Sequence, residues 1–226
     1  MINRAVFENK EDWASFRGDL LTSSEISKIL TEPKKKGELL SVGAKTYVME
    51  KVTNKFAPPE PEYYNSSMEH GNITEPQAVL KVAKKYNKDL NGDDFIYTST
   101  NGFVFFWDDE FDLGGTPDII MDNMICEIKC PKSKTHLYYL VNVRSQEDAK
   151  KEIPEYYAQM QLNMYLTKKD KCLFVSFDDR FYDENMYYHE VLIEKDDEFI
   201  ENLKAKAKIA KEYKESILKI INETKL

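Results

Sequence analysis

Gly115-Thr116-Pro117-Asp118-Ile119-Ile120-Met121-Asp122-Asn123-Met124-Ile125-Cys126-Glu127-Ile128-Lys129 is the stretch from which the fold can be read. Asp122-Asn123 is a turn pair that tolerates positive φ, and short apolar arms flank it, so the stretch reads as a β-hairpin. Closing it there pairs Met121 with Met124, Ile120 with Ile125 and Ile119 with Cys126. Asp118 then falls opposite Glu127. Opposed Cβ atoms lie roughly 4.5–5.5 Å apart, where like charges destabilise. Alternation places Lys129 on the face of Glu127 and turns Cys126, Ile128 and Cys130 to the other. A divalent cation between the carboxylates removes the repulsion, because hard ions such as Mg²⁺ take carboxylate oxygens. The hairpin therefore reads as a metal site with a lysine beside it.

Outward from the hairpin, Phe95–Thr98 and Phe103–Trp107 read as further strands. Cys172–Phe177 reads as a buried strand and Tyr187–Ile193 as another. A first helix is expected over about Glu11–Leu20, and Thr22-Ser23-Ser24-Glu25 has the form of a capping box opening a second helix through Leu30. Helical periodicity runs from about Tyr64 to Tyr86, with Pro76 either starting a helix or kinking one. Pro154 opens a helix through about Thr167. Asp196 to about Asn222 is a terminal helix with an apolar stripe of Phe199, Leu203, Ala210, Tyr213, Ile217 and Ile220. Thr31–Lys36 and the proline-rich Ala57–Glu62 read as loops. This order predicts an α/β (α+β) core, a central mixed sheet flanked by helices.

The chain has 226 residues, enough for one well-cored domain spanning residues 1–226. No apolar run approaches the roughly 20 residues of a membrane span, and the N-terminus lacks a signal-peptide core. Three cysteines, Cys126, Cys130 and Cys172, predict buried thiols of a reduced intracellular protein and are too few for a four-cysteine cluster. A net charge of −8 argues weakly against nucleic acid, though a locally basic surface is compatible with it. Lys34-Lys35-Lys36 and Lys81, Lys84, Lys85 and Lys88 are candidate patches or ordinary solvated faces. His70, His136 and His189 lack metal-ligand spacing and read as surface or structural residues.

Further signals lie on either side. Trp13 and Arg17 are at i, i+4 and share a helix face. Arg17 precedes a helix start at which Ser24 and backbone N–H groups form a ready anion site. Glu75 adjoins Pro76. Tyr156, Gln159 and Asn163 form a polar line on one helix face, with Gln161 about 200° around from Gln159.

Taken in order, Trp13-x-x-x-Arg17 with Leu21-Thr22-Ser23-Ser24-Glu25, Gly71-x-x-x-Glu75-Pro76, Thr116-Pro117-Asp118, Glu127-Ile128-Lys129-Cys130-Pro131 and Tyr156-Tyr157-Ala158-Gln159-Met160-Gln161 resemble the motifs of one family. It is the lambda-type phage exonucleases and YqaJ-type viral recombinases of the PD-(D/E)xK nuclease superfamily. The resemblance implies a restriction-endonuclease-like core. It implies a 5′→3′ exonuclease that degrades one strand of linear double-stranded DNA from a 5′-phosphorylated end. Mononucleotides are released and 3′ single-stranded DNA is left for an annealing partner.

The resemblance also assigns residues. Asp118, Glu127, the Ile128 carbonyl and Glu75 hold two Mg²⁺ ions, for which Mn²⁺ can substitute. Lys129 is the catalytic amine and Gln159 positions water or a phosphate oxygen. Arg17, Ser24, Trp13 and Tyr156 contact the 5′-phosphate or the DNA. A ring-shaped homotrimer and a phage or prophage protein in a bacterial cytoplasm complete the expectation. Another nuclease of the same superfamily, or a catalytically silent DNA-end-binding protein, are the alternatives.

Overall fold

The computed structural model describes residues 1–57, 66–99 and 102–224. In chain order the elements are β1 (Ile2–Phe7), α1 (Lys10–Arg17), β2 (Leu21–Thr22), a 3₁₀ turn (Ser23–Glu25), α2 (Ser27–Leu30), α3 (Val42–Thr53) and α4 (Ser66–Lys85). Next come β3 (Phe95–Tyr97), β4 (Phe103–Asp108), β5 (Leu113–Gly115), β6 (Ile119–Met121) and β7 (Ile125–Lys129). The remainder is α5 (Ser133–Asn142), α6 (Gln146–Glu152), α7 (Pro154–Thr167), β8 (Lys171–Phe177), β9 (Tyr188–Glu194) and α8 (Asp197–Thr224). The architecture is the expected mixed α/β one with flanking helices. Among the described residues its strands divide between two mixed sheets, ordered β1-β4-β5-β2 and β3-β6-β7-β8-β9.

β7 is central to the second sheet, antiparallel to β6 and parallel to β8. Its parallel neighbour is reached by a crossover through three helices, as parallel pairing requires. Both faces of the sheet are covered, which is why β8 reads as a nearly unbroken apolar run. On one face Cys126 and Ile128 meet Ala78, Val79, Val82 and Ala83 of α4. On the other, Ile125, Cys172 and Phe174 pack with Tyr157, Met160 and Met164 of α7. A third core joins α3, α7 and α8 around Tyr47, Leu162, Leu203 and Ala207. Burying each large apolar side chain stabilises the fold by about 1.5–3 kcal/mol.

α7 is buried over most of its circumference, and its polar residues bond to particular partners. Gln161 donates to the Glu194 carbonyl (2.9 Å) and accepts from the Asp196 amide (2.8 Å), fixing the corner between β9 and α8. The buried His136 likewise spans Ser176 Oγ and the Met186 carbonyl, both at 2.7 Å. α8 is anchored by Lys214, whose Nζ donates to the Asp19 carbonyl (2.7 Å) and to Asp112 Oδ2 (2.9 Å). Cys126 and Cys172 are buried free thiols, and Cys130 is half-buried. No helix among the described residues is long and apolar enough to cross a membrane.

Several expectations need correction. The capping box does not form: Thr22 makes no side-chain cap bond, and Glu25 turns to Lys28 (2.5 Å) and Lys51 (3.3 Å). The second helix is thus a 3₁₀ turn followed by the short α2. Of the two readings of Pro76, the helix start falls away, since the residue lies inside α4. Ile220 is 63% exposed, since the stripe of α8 leaves the core before it. Strands β1, β2 and β5 and helices α3, α5 and α6 went unread: each is short or carries a mixed polar pattern whose partner lies far off in the chain. The proline-rich loop, from Pro58 on, and the first residues of the 64–86 helix lie outside the described residues.

Gly114 marks a close contact within the first sheet: a Cβ there would meet the ring of Phe105, on the neighbouring β4, at 2.4 Å. We expect Gly114→Ala to lower stability by about 1–3 kcal/mol through overpacking. A urea midpoint unchanged from wild type would contradict this.

Candidate active site

The hairpin forms in the register read from the sequence. Ile119 pairs with Cys126 and Ile120 with Ile125, and the Met121 amide donates to the Met124 carbonyl at 2.8 Å. The turn closes without positive φ at Asp122 or Asn123. The ladder stops one residue short of Asp118, whose amide donates to the Cys126 carbonyl at 3.1 Å. Asp118 therefore does not face Glu127 as a ladder partner. Its carboxylate folds over the strand end, where Oδ2 accepts the Ile128 amide at 2.6 Å.

Glu127 is only 1% exposed on the α7 side of the sheet, and its Oε1 accepts from Lys129 Nζ at 2.6 Å. Lys129 shares that face, as alternation requires. Its ammonium lies 4.7 Å from the centre of the Tyr156 ring, which stacks in turn on Phe174. Asn163 donates to Glu127 Oε2 at 3.3 Å. Glu75 comes from the middle of α4, where its Oε1 accepts from the Tyr97 hydroxyl at 2.9 Å.

A cleft of about 440 Å³ opens beside these groups. Trp13, Arg17, Ser24, Glu75, Asp118 and Gln159 all line it, although residues 13 and 159 are far apart in the chain. The Arg17 guanidinium lies 4.2 Å from the Trp13 ring centre, and Trp13 Nε1 donates to Thr116 Oγ1 at 3.3 Å. The cleft thus has an aromatic and cationic wall facing a carboxylate wall. Glu127, Ile128, Lys129 and Tyr156 do not themselves line it; the Tyr156 ring packs over Lys129. Gln161 is turned to the corner of β9 and α8.

The electrostatics of the carboxylates follow from burial. Burial, then repulsion from Asp118, pushes Glu127 up to about 8. The same two causes push Glu75 up to about 7. Burial also raises Asp118, against the pull of Lys129 and the Ile128 amide. Lys129 is held well above its ordinary value: burial works against the charge, but Glu127 and Asp118 outweigh it. It is an ammonium at neutral pH. One cation beside three acidic groups leaves the site short of positive charge.

Among the described residues, no three His, Cys, Asp or Glu side chains are gathered closely enough to ligate an ion as they stand. Asp118 is turned to the Ile128 amide and Glu127 to Lys129 and Asn163. The donor set nonetheless suits a hard divalent cation, being all oxygen, and the raised carboxylates record the shortfall of positive charge. Tyr97 carries no site signal in the sequence, and Asn163 is given no role there beyond its place in the polar line. Tyr97 sits in an apolar strand, and only its pairing with Ile119 brings it near Asp118. Asn163 had a signal, its place on the face of Gln159.

Residues 12–170 match the family described as YqaJ-like viral recombinase domain. A search of curated proteins gives no match. Among solved structures, the alkaline exonuclease LHK-Exo from Laribacter hongkongensis superposes with a TM-score of 0.73 at 24% identity, covering 95% of this chain and 97% of that one. Its complex with dAMP gives the same values. A phage-related exonuclease from Haemophilus somnus 129PT superposes with a TM-score of 0.66 at 20% identity, over 89% of this chain and 96% of that one. At these identities the likeness establishes the fold.

The raised carboxylates make a stability prediction whose sign can be worked out. Between about pH 4.5 and 8 the folded protein keeps protons on Glu75 and Glu127 that the unfolded chain has released. Stability contributed by these groups is therefore full below that window and falls as pH rises through it. In chelator, the fall in melting temperature from pH 5 to 8 should be shallower in Glu127→Gln than in wild type. Parallel curves would contradict it.

Proposed function

The chain belongs to the YqaJ-like viral recombinase family, and we propose on that premise that it is a Mg²⁺-dependent 5′→3′ exonuclease acting on linear double-stranded DNA. It degrades one strand from a 5′-phosphorylated end, releases mononucleotides and leaves 3′ single-stranded DNA. The observation that carries this reading is the meeting of Asp118, Glu127 and Lys129 at one strand end with Glu75, beside a cleft walled by Arg17, Ser24 and Gln159. The solved neighbour's complex with dAMP, a mononucleotide, agrees with the proposed product.

Asp118, Glu127, the Ile128 carbonyl and Glu75 would hold the cations, with Mn²⁺ able to replace Mg²⁺. Bound there, the metal would polarise the phosphoryl oxygen and lower the pKa of attacking water. Lys129, fixed as an ammonium, donates hydrogen bonds and offsets charge developing on the phosphate. An ammonium has no lone pair with which to take a proton from that water. Gln159 orients water or a phosphate oxygen from the cleft side. Arg17, flattened on Trp13, can pair with a terminal phosphate through two N–H groups, and Ser24 adds a hydroxyl. On this reading the 5′ end lies beside Arg17 and Ser24 and the scissile bond beside Asp118 and Glu75.

The reading extends to residues 1–226 as a single nuclease domain, assembled as a homotrimeric ring around the duplex and working with an annealing partner in a bacterial cytoplasm. A ring would confine the need for basic surface to its inner wall, compatible with a net charge of −8.

Two outcomes test the proposal. Purified protein with Mg²⁺ should shorten linear 5′-phosphorylated duplex and spare closed circles, and Lys129→Ala should lower kcat at least 100-fold, on the scale of removing one transition-state donor. Full activity in that variant, or equal loss of circles, would sink the mechanism. Arg17→Ala should erase most of the preference for 5′-phosphate over 5′-hydroxyl ends, a drop of roughly tenfold from a lost charge-assisted pair. A preference that survives intact would remove Arg17 from the phosphate site.

A further inference from the structure

Asn163 is wholly buried on α7, one turn beyond Gln159. Its Nδ2 donates to Glu127 Oε2 at 3.3 Å, while Lys129 holds Oε1 at 2.6 Å. The Glu127 carboxylate is gripped on both oxygens, by its own strand and by the helix packed over it. The other amide atom of Asn163, Oδ1, is buried with no hydrogen-bond partner among the described residues. A buried unsatisfied carbonyl is a loss that an apolar side chain of similar size would avoid. The Nδ2 bond satisfies the buried carboxylate, but the stranded Oδ1 is not explained by folding alone.

The surroundings of Oδ1 indicate where it is aimed. A Cβ on Gly115 would lie 2.3 Å from it and 2.9 Å from Ser23 Oγ. Gly115 and Ser23 both line the cleft. The bare backbone of Gly115, which lines the cleft, thus makes room for the buried amide behind it. Any larger residue at 115 would push Asn163 off the carboxylate.

We propose that Asn163 is a positioning residue for Glu127, holding Oε2 from α7 so that the carboxylate keeps one orientation toward a divalent cation. The inference rests on the reading of Glu127 as a metal-holding residue. Lys129 alone cannot fix that orientation, because a long flexible stem grips one oxygen and lets the group swing about it. A short buried amide on a packed helix has little such freedom. Partners that orient a ligating carboxylate typically change metal affinity or activity by about 10–100-fold when removed.

The test is a calorimetric titration of Mn²⁺, without DNA, into wild type, Asn163→Leu, Asn163→Ala and Glu127→Gln. Asn163→Leu should weaken Mn²⁺ binding about tenfold and stay folded, since losing the orphan acceptor offsets the lost bond to Glu127 Oε2. Asn163→Ala, which adds no bulk, should show the same loss. With DNA, the half-saturating Mg²⁺ concentration should rise by a similar factor while KM for DNA stays put, a split that a merely structural residue would not produce. Wild-type Mn²⁺ affinity in either folded variant overturns the assignment. So does a collapse of both melting temperatures, for the residue would then be holding the fold. Wild-type affinity in Glu127→Gln places the failure in the reading of the site itself.

Discussion

The dominant constraint on this structure is a carboxylate that cannot leave the interior. Glu127 sits on a central strand, sealed by α7, with Asp118 at the strand end and Glu75 within electrostatic reach. Water would have solvated these charges, and burial denies it to them. The Lys129 ammonium, the Asn163 amide and protons retained to about pH 7 and 8 together take the place of that water. Buried charges in ordinary cores are paired to neutrality. Here pairing is left incomplete, three acidic groups against one ammonium, which leaves the cluster able to take up further positive charge.

The rest of the fold works to maintain that condition. α4 and α7 cover opposite faces of the second sheet, so one face of β7 is apolar through Cys126 and Ile128 while the other carries Glu127 and Lys129. A slip of one residue in the β6–β7 register would exchange the two faces and bury the charges against Ala78 and Val82. The apolar side of the strand thus enforces the placement of its charged side. The small first sheet has a different role. It supplies Gly115 and the frame for Trp13 and Arg17, which complete the cleft from across the molecule.

The part of this design most legible in the sequence was local. The hairpin register, the shared face of Glu127 and Lys129, the Pro154–Thr167 helix and the buried β8 run all follow from periodicities of two and 3.6, which neighbours in sequence reveal. The Asp118 position was only half legible. Pairing arithmetic put it opposite Glu127, but the strand ended one residue early because the Ile128 amide competes for its carboxylate. The capping box failed for a similar reason: lysines displaced the backbone as partners of Glu25. Illegible altogether were contacts set by distant segments, such as Tyr97 on Glu75, and strands such as β1 whose identity depends on pairing with β4.

Lys214 gives the structure a temporal consequence. Its ammonium reaches across 195 positions to Asp19 and across 102 to Asp112, tying the last helix to loops that border the cleft walls. Contacts so distant in sequence form late, because closing long loops is entropically slow. On the ribosome, Trp13, Glu75, Asp118 and Gln159 all emerge before α8 exists to lock their frame. The frame of the charged cleft is thus completed by an element made after every residue that lines it.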